Sequence, residues 1–549
     1  MQKSQTNLIA SLCDLLGSIN DNERQEAEAQ MKTYYNMDGF LLTLLEITQL
    51  PVVNHGSRLQ AAIYFKNDLS KRWCLSCKET DPDNPSVVIA LPINPEEKAT
   101  IRSNLISLMG SSEEVIARQF VECLVQIGLE DYYINWPTMM QELVAQCQSN
   151  DVSIISRCLT VIEGICKVLE TVPDSDIVGG VVLHFVDDLN VFLRTMWETM
   201  VSILPQVQND YDKLELILTC LLLIANTRRY WIMVDVIRDI NTDHEQEDAS
   251  CVDLDIWMSF FSVMLQYTNS MFVENPTATV LEELKASIIS FCTVCVNRHT
   301  DLFTQYFQSF SSAIWSLLAT VGPSIKYQEV AVSSLHFFSS VCTKRIFRGV
   351  FQSGDMLQQL IANVIVPNCI AQETLLEQFE VKPNLYIKNY EEGYKVNSPR
   401  YAVAHLITAL KDQFQMNFVS LLMEAILQLL EGSPEQRDCG YHMFFYRNCE
   451  FPSIMRSIRT VDDIQFVNSF LERFALVDLQ SASNPILIAD SLITCDLFLN
   501  FIPEGSIMQI LQRCVTLLTG TSESVRVLSV ITIDRILTKY QPSHNCVVE

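Results

Sequence analysis

Residues 8–48, LIASLCDLLGSINDNERQEAEAQMKTYYNMDGFLLTLLEIT, set the pattern that the rest of the chain repeats. Leu8, Leu12, Leu15 and Leu16 recur at the spacing of a single helix face, and so do Phe40, Leu41, Leu44 and Leu45. Between them Asn20–Asp21–Asn22 and Asn36–Met37–Asp38–Gly39 break the run. The same alternation of apolar stripe and short breaker continues through Asn54–His55–Gly56, Gly110–Ser111–Ser112, Ser149–Asn150–Asp151 and Gly432–Ser433–Pro434. Period-2 alternation is never sustained. Asn94–Pro95–Glu96–Glu97 and Ser111–Ser112–Glu113–Glu114 read as helix starts, with a capping side chain followed by acids that suit the helix dipole. Breakers spaced roughly twenty residues apart, two helices to a unit of roughly forty, without strict sequence identity, are the signature of HEAT-type repeats. The expected fold is all-α, an α-α superhelix of such repeats.

Composition agrees with an elongated array. At 549 residues the chain exceeds what one core serves, 48% of residues are hydrophobic, and only 16 Gly and 18 Pro punctuate it. The formal net charge of -27 argues against nucleic acid as a partner and favours basic protein segments. Eighteen cysteines, among them Cys123, Cys158, Cys220 and Cys495, fall singly at apolar positions, as expected in a reducing compartment. Met1–Ala10 carries no secretory pattern. Leu214–Ala225, about a dozen apolar residues interrupted by Glu215, is shorter than the roughly 20 a bilayer requires and is expected to be a buried helix without membrane insertion. Lys78–Pro95, Asn241–Asp248 and Gln372–Pro399 exceed a repeat turn and stand out as insertions.

Asn22–Glu23–Arg24–Gln25–Glu26–Ala27–Glu28, then Phe40–Leu45, then Arg58–Leu59–Gln60–Ala61–Ala62–Ile63–Tyr64–Phe65–Lys66–Asn67 and Lys71–Arg72–Trp73 resemble the importin-β N-terminal domain. Glu130–Asp131–Tyr132–Tyr133–Ile134–Asn135–Trp136–Pro137, Trp257–Met258, Ala313–Leu318, Lys326–Tyr327, Val366–Pro367–Asn368 and Tyr386–Ile387–Lys388 are similar, in the same order, to segments of the CAS-type exportins, the re-exporters of importin-α. The resemblance implies four regions: an importin-β N-terminal domain at 1–110, central HEAT repeats at 111–370, an insertion with acidic and tyrosine residues at 371–400, and further HEAT repeats at 401–549. It implies a shuttling, non-enzymatic receptor in nucleus and cytoplasm, working at the nuclear pore without a cofactor. Its partners would be Ran in the GTP form, importin-α as cargo, and nucleoporin repeats. Ser57, Gln60, Lys66, Asn67 and Lys71 on one inner helix, with Glu122 and Gln126 on the next, are expected to face Ran. Glu373, Glu377, Glu380, Tyr386, Lys388, Tyr390, Glu391 and Glu392 are expected to meet Ran or importin-α. The chain departs from the family where an arginine cluster follows the insertion, since Asn397–Ser398–Pro399–Arg400–Tyr401 keeps one arginine. Family members are also longer, and their closing C-terminal arch is expected to be missing here. An import receptor of the same superfamily, or a HEAT scaffold outside transport, remains the alternative.

Catalytic and metal motifs are not in evidence. Cys74 and Cys77 have zinc-ligand spacing without a second pair, and Cys292, Cys295 and His299 share a helix face that cannot by itself surround an ion. No phosphate loop, nucleophile elbow or His-Glu-x-x-His occurs, and the eight histidines are expected to lie apart from acidic partners. The tryptophans at 73, 136, 197, 231, 257 and 315 are expected to pack in the core.

Overall fold

The computed structural model describes residues 3–18, 20–76, 79–80, 88–149, 151–169, 176–233, 237–239, 246–248, 253–322, 324–351, 354–391, 397–450, 455–456 and 461–540. These fall into two compact units, one of residues 1–259 with 269–271, the other of 260–268 with 272–549.

The first unit contains α1 (Lys3–Leu16), α2 (Asp21–Tyr34), α3 (Phe40–Gln49), α4 (His55–Arg72), α5 (Pro95–Ser111), α6 (Glu114–Asp131), α7 (Met139–Gln146), α8 (Val152–Leu169), α9 (Asp176–Val207) and α10 (Tyr211–Met233). Helix α3 pairs with α4, α5 with α6, α7 with α8 and α9 with α10, while the second members α4, α6, α8 and α10 pack successively against one another. That is the HEAT arrangement. The division between units passes through α11 (Leu254–Gln266) and α12 (Ser270–Glu274).

In the second unit lie α13 (Val280–Arg298), α14 (Thr300–Phe303), α15 (Phe307–Thr320), α16 (Gln328–Thr343), α17 (Gly354–Leu360), α18 (Val366–Cys369), α19 (Glu373–Val381), α20 (Pro383–Glu391), α21 (Pro399–Leu430), α22 (Pro434–Asn448), α23 (Val461–Phe470), α24 (Leu476–Ser481), α25 (Pro485–Leu497), α26 (Glu504–Leu517) and α27 (Glu523–Lys539). Packing runs α13 to α16 to α21 to α22, and on through α25 to α27. Within α21, Gln415 (φ 42°, ψ -125°) breaks the helical path into two segments. Among the described residues, three two-stranded ribbons, 79–80 with 88–90, 237–239 with 246–248 and 449–450 with 455–456, accompany the helices of this all-α fold.

Helix starts follow the capping chemistry. Asn94 accepts from Glu96 N at 2.9 Å with Pro95 in the first turn, and Asn54 accepts from Ser57 N at 2.8 Å. Ser433 and Gln436 form a reciprocal capping box, Ser433 N donating to Gln436 Oε1 at 2.8 Å. At Ser111–Ser112 the expectation is corrected: these residues close α5, and α6 begins after Glu113 with no side-chain cap. Glu113 instead reaches His55 and Arg58, at 3.0 and 2.8 Å.

Five of the six tryptophans are buried, and half-buried Trp315 meets Phe338 edge-on at 5.7 Å. The apolar run 214–225 lies inside α10, which at 23 residues is longer than the sequence suggested and is long and apolar enough to cross a bilayer. Yet 67% of its most apolar window is buried within the protein, and its Arg228 is enclosed between the rings of Trp231 and Trp257, at 5.3 and 5.1 Å. It is a core helix.

Candidate partner-binding surface

The first candidate surface is the outward ridge of α4 and α6. Asn54 starts α4, and Lys71 and Arg72 suit the negative end of its dipole. Its inward side is Ala61, Ala62, Phe65 and Leu69, all fully buried, with Phe65 edge-on to Phe120 of α6 at 6.2 Å. Trp73 is locked below, its Nε1 donating to Asp131 at 3.2 Å. What faces outward is polar. Asn67, Lys71 and Glu122 are exposed, and Gln60, Lys66 and Gln126 are half-buried.

These side chains are already joined to one another. Lys66 Nζ donates to Glu122 at 2.7 Å, Ser70 Oγ to Gln126 Oε1 at 2.6 Å, and Gln126 Nε2 to the Ser70 carbonyl at 3.0 Å. Ser57 is corrected: only 2% exposed, its hydroxyl donates to Asp14 at 2.9 Å, so it faces inward and holds α4 to α1. Sequence reading missed the continuation of the ridge. Arg58 pairs with Glu113 at 2.8 Å, and Glu114 pairs with both Arg118 and Arg157, at 2.8 and 2.9 Å. Arg157 also donates to the carbonyls of Met109 and Ser112, tying α8 to the end of α5. Arg118, Glu122, Ser156, Arg157 and Thr160 then border a groove over α6, α8 and α10. A run of charges four residues apart was the available signal. The ridge carries both signs, although the chain as a whole is strongly acidic.

The second candidate surface is the insertion. It folds into the helices α19 and α20, which pack on α27. Phe379 and Tyr386 are buried, edge-on at 5.0 Å, and Ser524 Oγ of α27 donates to the Phe379 carbonyl at 2.6 Å. That bond satisfies a carbonyl the end of α19 leaves without a helical partner. Tyr386 therefore packs within the insertion, and the expectation that it meets Ran or importin-α is corrected. Glu373, Glu377 and Glu380, at i, i+4 and i+7, are exposed along one stripe of α19, and Lys388 is exposed on α20. Tyr390 and Glu391 lie in α20 with side chains outside the described residues, and Glu392 lies outside them altogether. Arg400, the single arginine after the insertion, is buried in an ion pair with Asp438 at 2.5 Å.

Cys292 and Cys295 are fully buried, and burial pushes thiols such as Cys13, Cys166 and Cys342 up to about 12, where they stay protonated and unreactive. Cys74 is exposed with its thiol raised to about 11, and Cys77 lies outside the described residues. The histidines do meet acids: His55 lies 3.0 Å from Glu113, and His442 3.6 Å from both Asp438 and Asp490.

Residues 27–111, which include this ridge's α4, match the importin-β N-terminal domain. The chain belongs to the Cse1 family, whose model matches residues 178–533. Exportin-2 of Bos taurus is 24% identical over 515 residues, 92% of this chain and 51% of its own length. The chain thus spans about half the length of the curated relatives it matches. Among solved structures, the exportin Cse1 in its cargo-free, cytoplasmic state aligns with a TM-score of 0.81 at 20% identity, over 98% of this chain and 57% of that one. Kap95p, whose binding is described as inducing the switch loops of RanGDP to adopt the GTP-bound conformation, aligns at 0.55 and 11% identity, over 97% and 61%.

Proposed function

We propose that this protein is a nuclear export receptor that binds Ran-GTP on the α4–α6 ridge and carries importin-α, with nucleoporin repeats as further contacts during shuttling. The observation that carries the reading is the match to Exportin-2 over 92% of this chain, which is 51% of the length of that relative. The ridge supports it by supplying Lys66, Asn67, Lys71, Glu122 and Gln126 together on adjacent helices. Their internal bonds are exposed ones, each worth about 0–1 kcal/mol, so a partner exchanges them at little cost. The stripe Glu373, Glu377 and Glu380 suits a basic surface through charge-assisted hydrogen bonds.

Export requires positive coupling: Ran-GTP raises the affinity for importin-α, and importin-α raises that for Ran-GTP by the same factor. An import receptor shows the opposite sign. Titration of the purified chain with importin-α, with and without Ran loaded with a non-hydrolysable GTP analogue, separates the two. We expect the importin-α Kd to fall by roughly 5- to 150-fold when Ran is present. A rise in Kd gives the import reading, and absence of Ran binding sinks both.

A further inference from the structure

Three helices of the second unit bring four ionisable side chains into one buried cluster. Arg400 comes from α21, Asp438 and His442 stand one turn apart on α22, and Asp490 faces them from α25. They are 6, 4, 1 and 0% exposed. Arg400 Nη2 donates to Asp438 Oδ2 at 2.5 Å and its Nε to the Cys369 carbonyl at 2.7 Å. Asp438 Oδ1 is turned toward His442. A neighbouring acid, Asp478, has its own partners, Arg437 and the Tyr441 hydroxyl at 2.8 Å. Both guanidinium groups are therefore engaged, and Asp490 is left fully enclosed with neither carboxylate oxygen receiving a hydrogen bond.

A buried carboxylate that receives no hydrogen bond either takes up a proton or gains a counter-charge. His442 Nε2 stands 3.6 Å from an oxygen of each aspartate, too far for a hydrogen bond, which needs about 3.2 Å or less. Liganding atoms around tetrahedral zinc, with bonds of about 2.0–2.2 Å, sit about 3.3–3.5 Å apart. The candidate donor atoms of the three residues all lie within 4.8 Å of one another, so rotation of the carboxylates completes the fit. We propose that Asp438, His442 and Asp490 form a buried site for a divalent transition-metal cation, zinc by its mixed nitrogen and oxygen ligand set. The ion neutralises the two carboxylates, and Arg400 orients Asp438 chiefly through Oδ2, with a longer 3.4 Å contact from Nη1 to the Oδ1 that faces the ion. The site ties α22 to α25 and leaves the partner surfaces untouched.

The test uses the full chain, stripped with chelator and reloaded with Co2+ or Zn2+, beside Asp490→Asn, a near-isosteric change that removes the enclosed charge. The wild type should hold one metal equivalent more than the variant and melt several degrees higher with metal than without, reversibly with chelator. Its cobalt form should show visible d–d bands that the variant lacks, with no thiolate charge-transfer band, which separates this site from the cysteines. The variant, without metal, should melt at or above the stripped wild type. Equal metal content in the two proteins, a cobalt spectrum of thiolate character alone, or a wild-type melting point that responds to pH and not to metal overturns the proposal.

Discussion

Asp68 on α4 illustrates how one buried charge sets a property that composition cannot. It is 1% exposed, paired with Arg72 at 3.0 Å, and burial raises its carboxyl from 3.8 to about 6 against the opposing pull of that guanidinium. Because the folded value is raised, the stabilisation belongs to the protonated form. It is complete below pH 4 and is lost as pH rises through about 6. Against Asp68→Asn, wild-type stability should therefore fall by up to about 3 kcal/mol between pH 4 and pH 7.5 in urea titrations. A difference that is flat with pH removes Asp68 from this role. Arg72 has other acceptors, the carbonyls of Tyr35 and Leu91 at 2.6 and 2.7 Å, so the variant keeps its local fold. At this scale the sequence marked Lys66 and Glu122 as separate contacts. It had no means of showing that a 2.7 Å bond joins them, because they are 56 residues apart.

Among elements, the close approach of α6 and α8 depends on glycine. A Cβ on Gly164 would stand 2.7 Å from Val125 Cγ2, and one on Gly128 would meet Ile165. Val125 is β-branched and has little freedom to move aside. Alanine would gain up to about 1 kcal/mol in helix propensity, and overpacking costs about 1–3 kcal/mol, so the clash should win. Gly164→Ala should lower stability by about 1–2 kcal/mol in denaturant unfolding. A variant as stable as the parent would mean the two helices separate freely. Helix type and the caps at Asn54, Asn94 and Ser433 were legible, because they depend on neighbours three or four residues away. Ser111–Ser112 misled because the same residue types also end helices, and only the packing of Glu113 on His55 and Arg58 decides which side the boundary falls.

For the whole molecule, the insertion shows the division of labour between surface and core. Replacing Glu373, Glu377 and Glu380 together by Lys should weaken importin-α binding by at least tenfold at low salt while the melting temperature stays within about a degree, since exposed charges contribute little to folding. Ser524→Ala should do the reverse, costing about 1 kcal/mol by leaving the Phe379 carbonyl without its donor and exposing the insertion to protease. If both variants change binding alone, α19 and α20 are not held by α27. The all-helical HEAT array and the Cse1 family likeness were determined by sequence alone, because apolar periodicity and caps are local and recur along the chain. Tertiary structure alone decided that Ser57 and Tyr386 turn inward, that Arg400 is a core ion-pair residue, and that Asp438 and His442 meet Asp490 from 52 and 48 residues away. The physical reason is that the worth of a polar group depends on whether water reaches it, and that is fixed only when distant helices close over it.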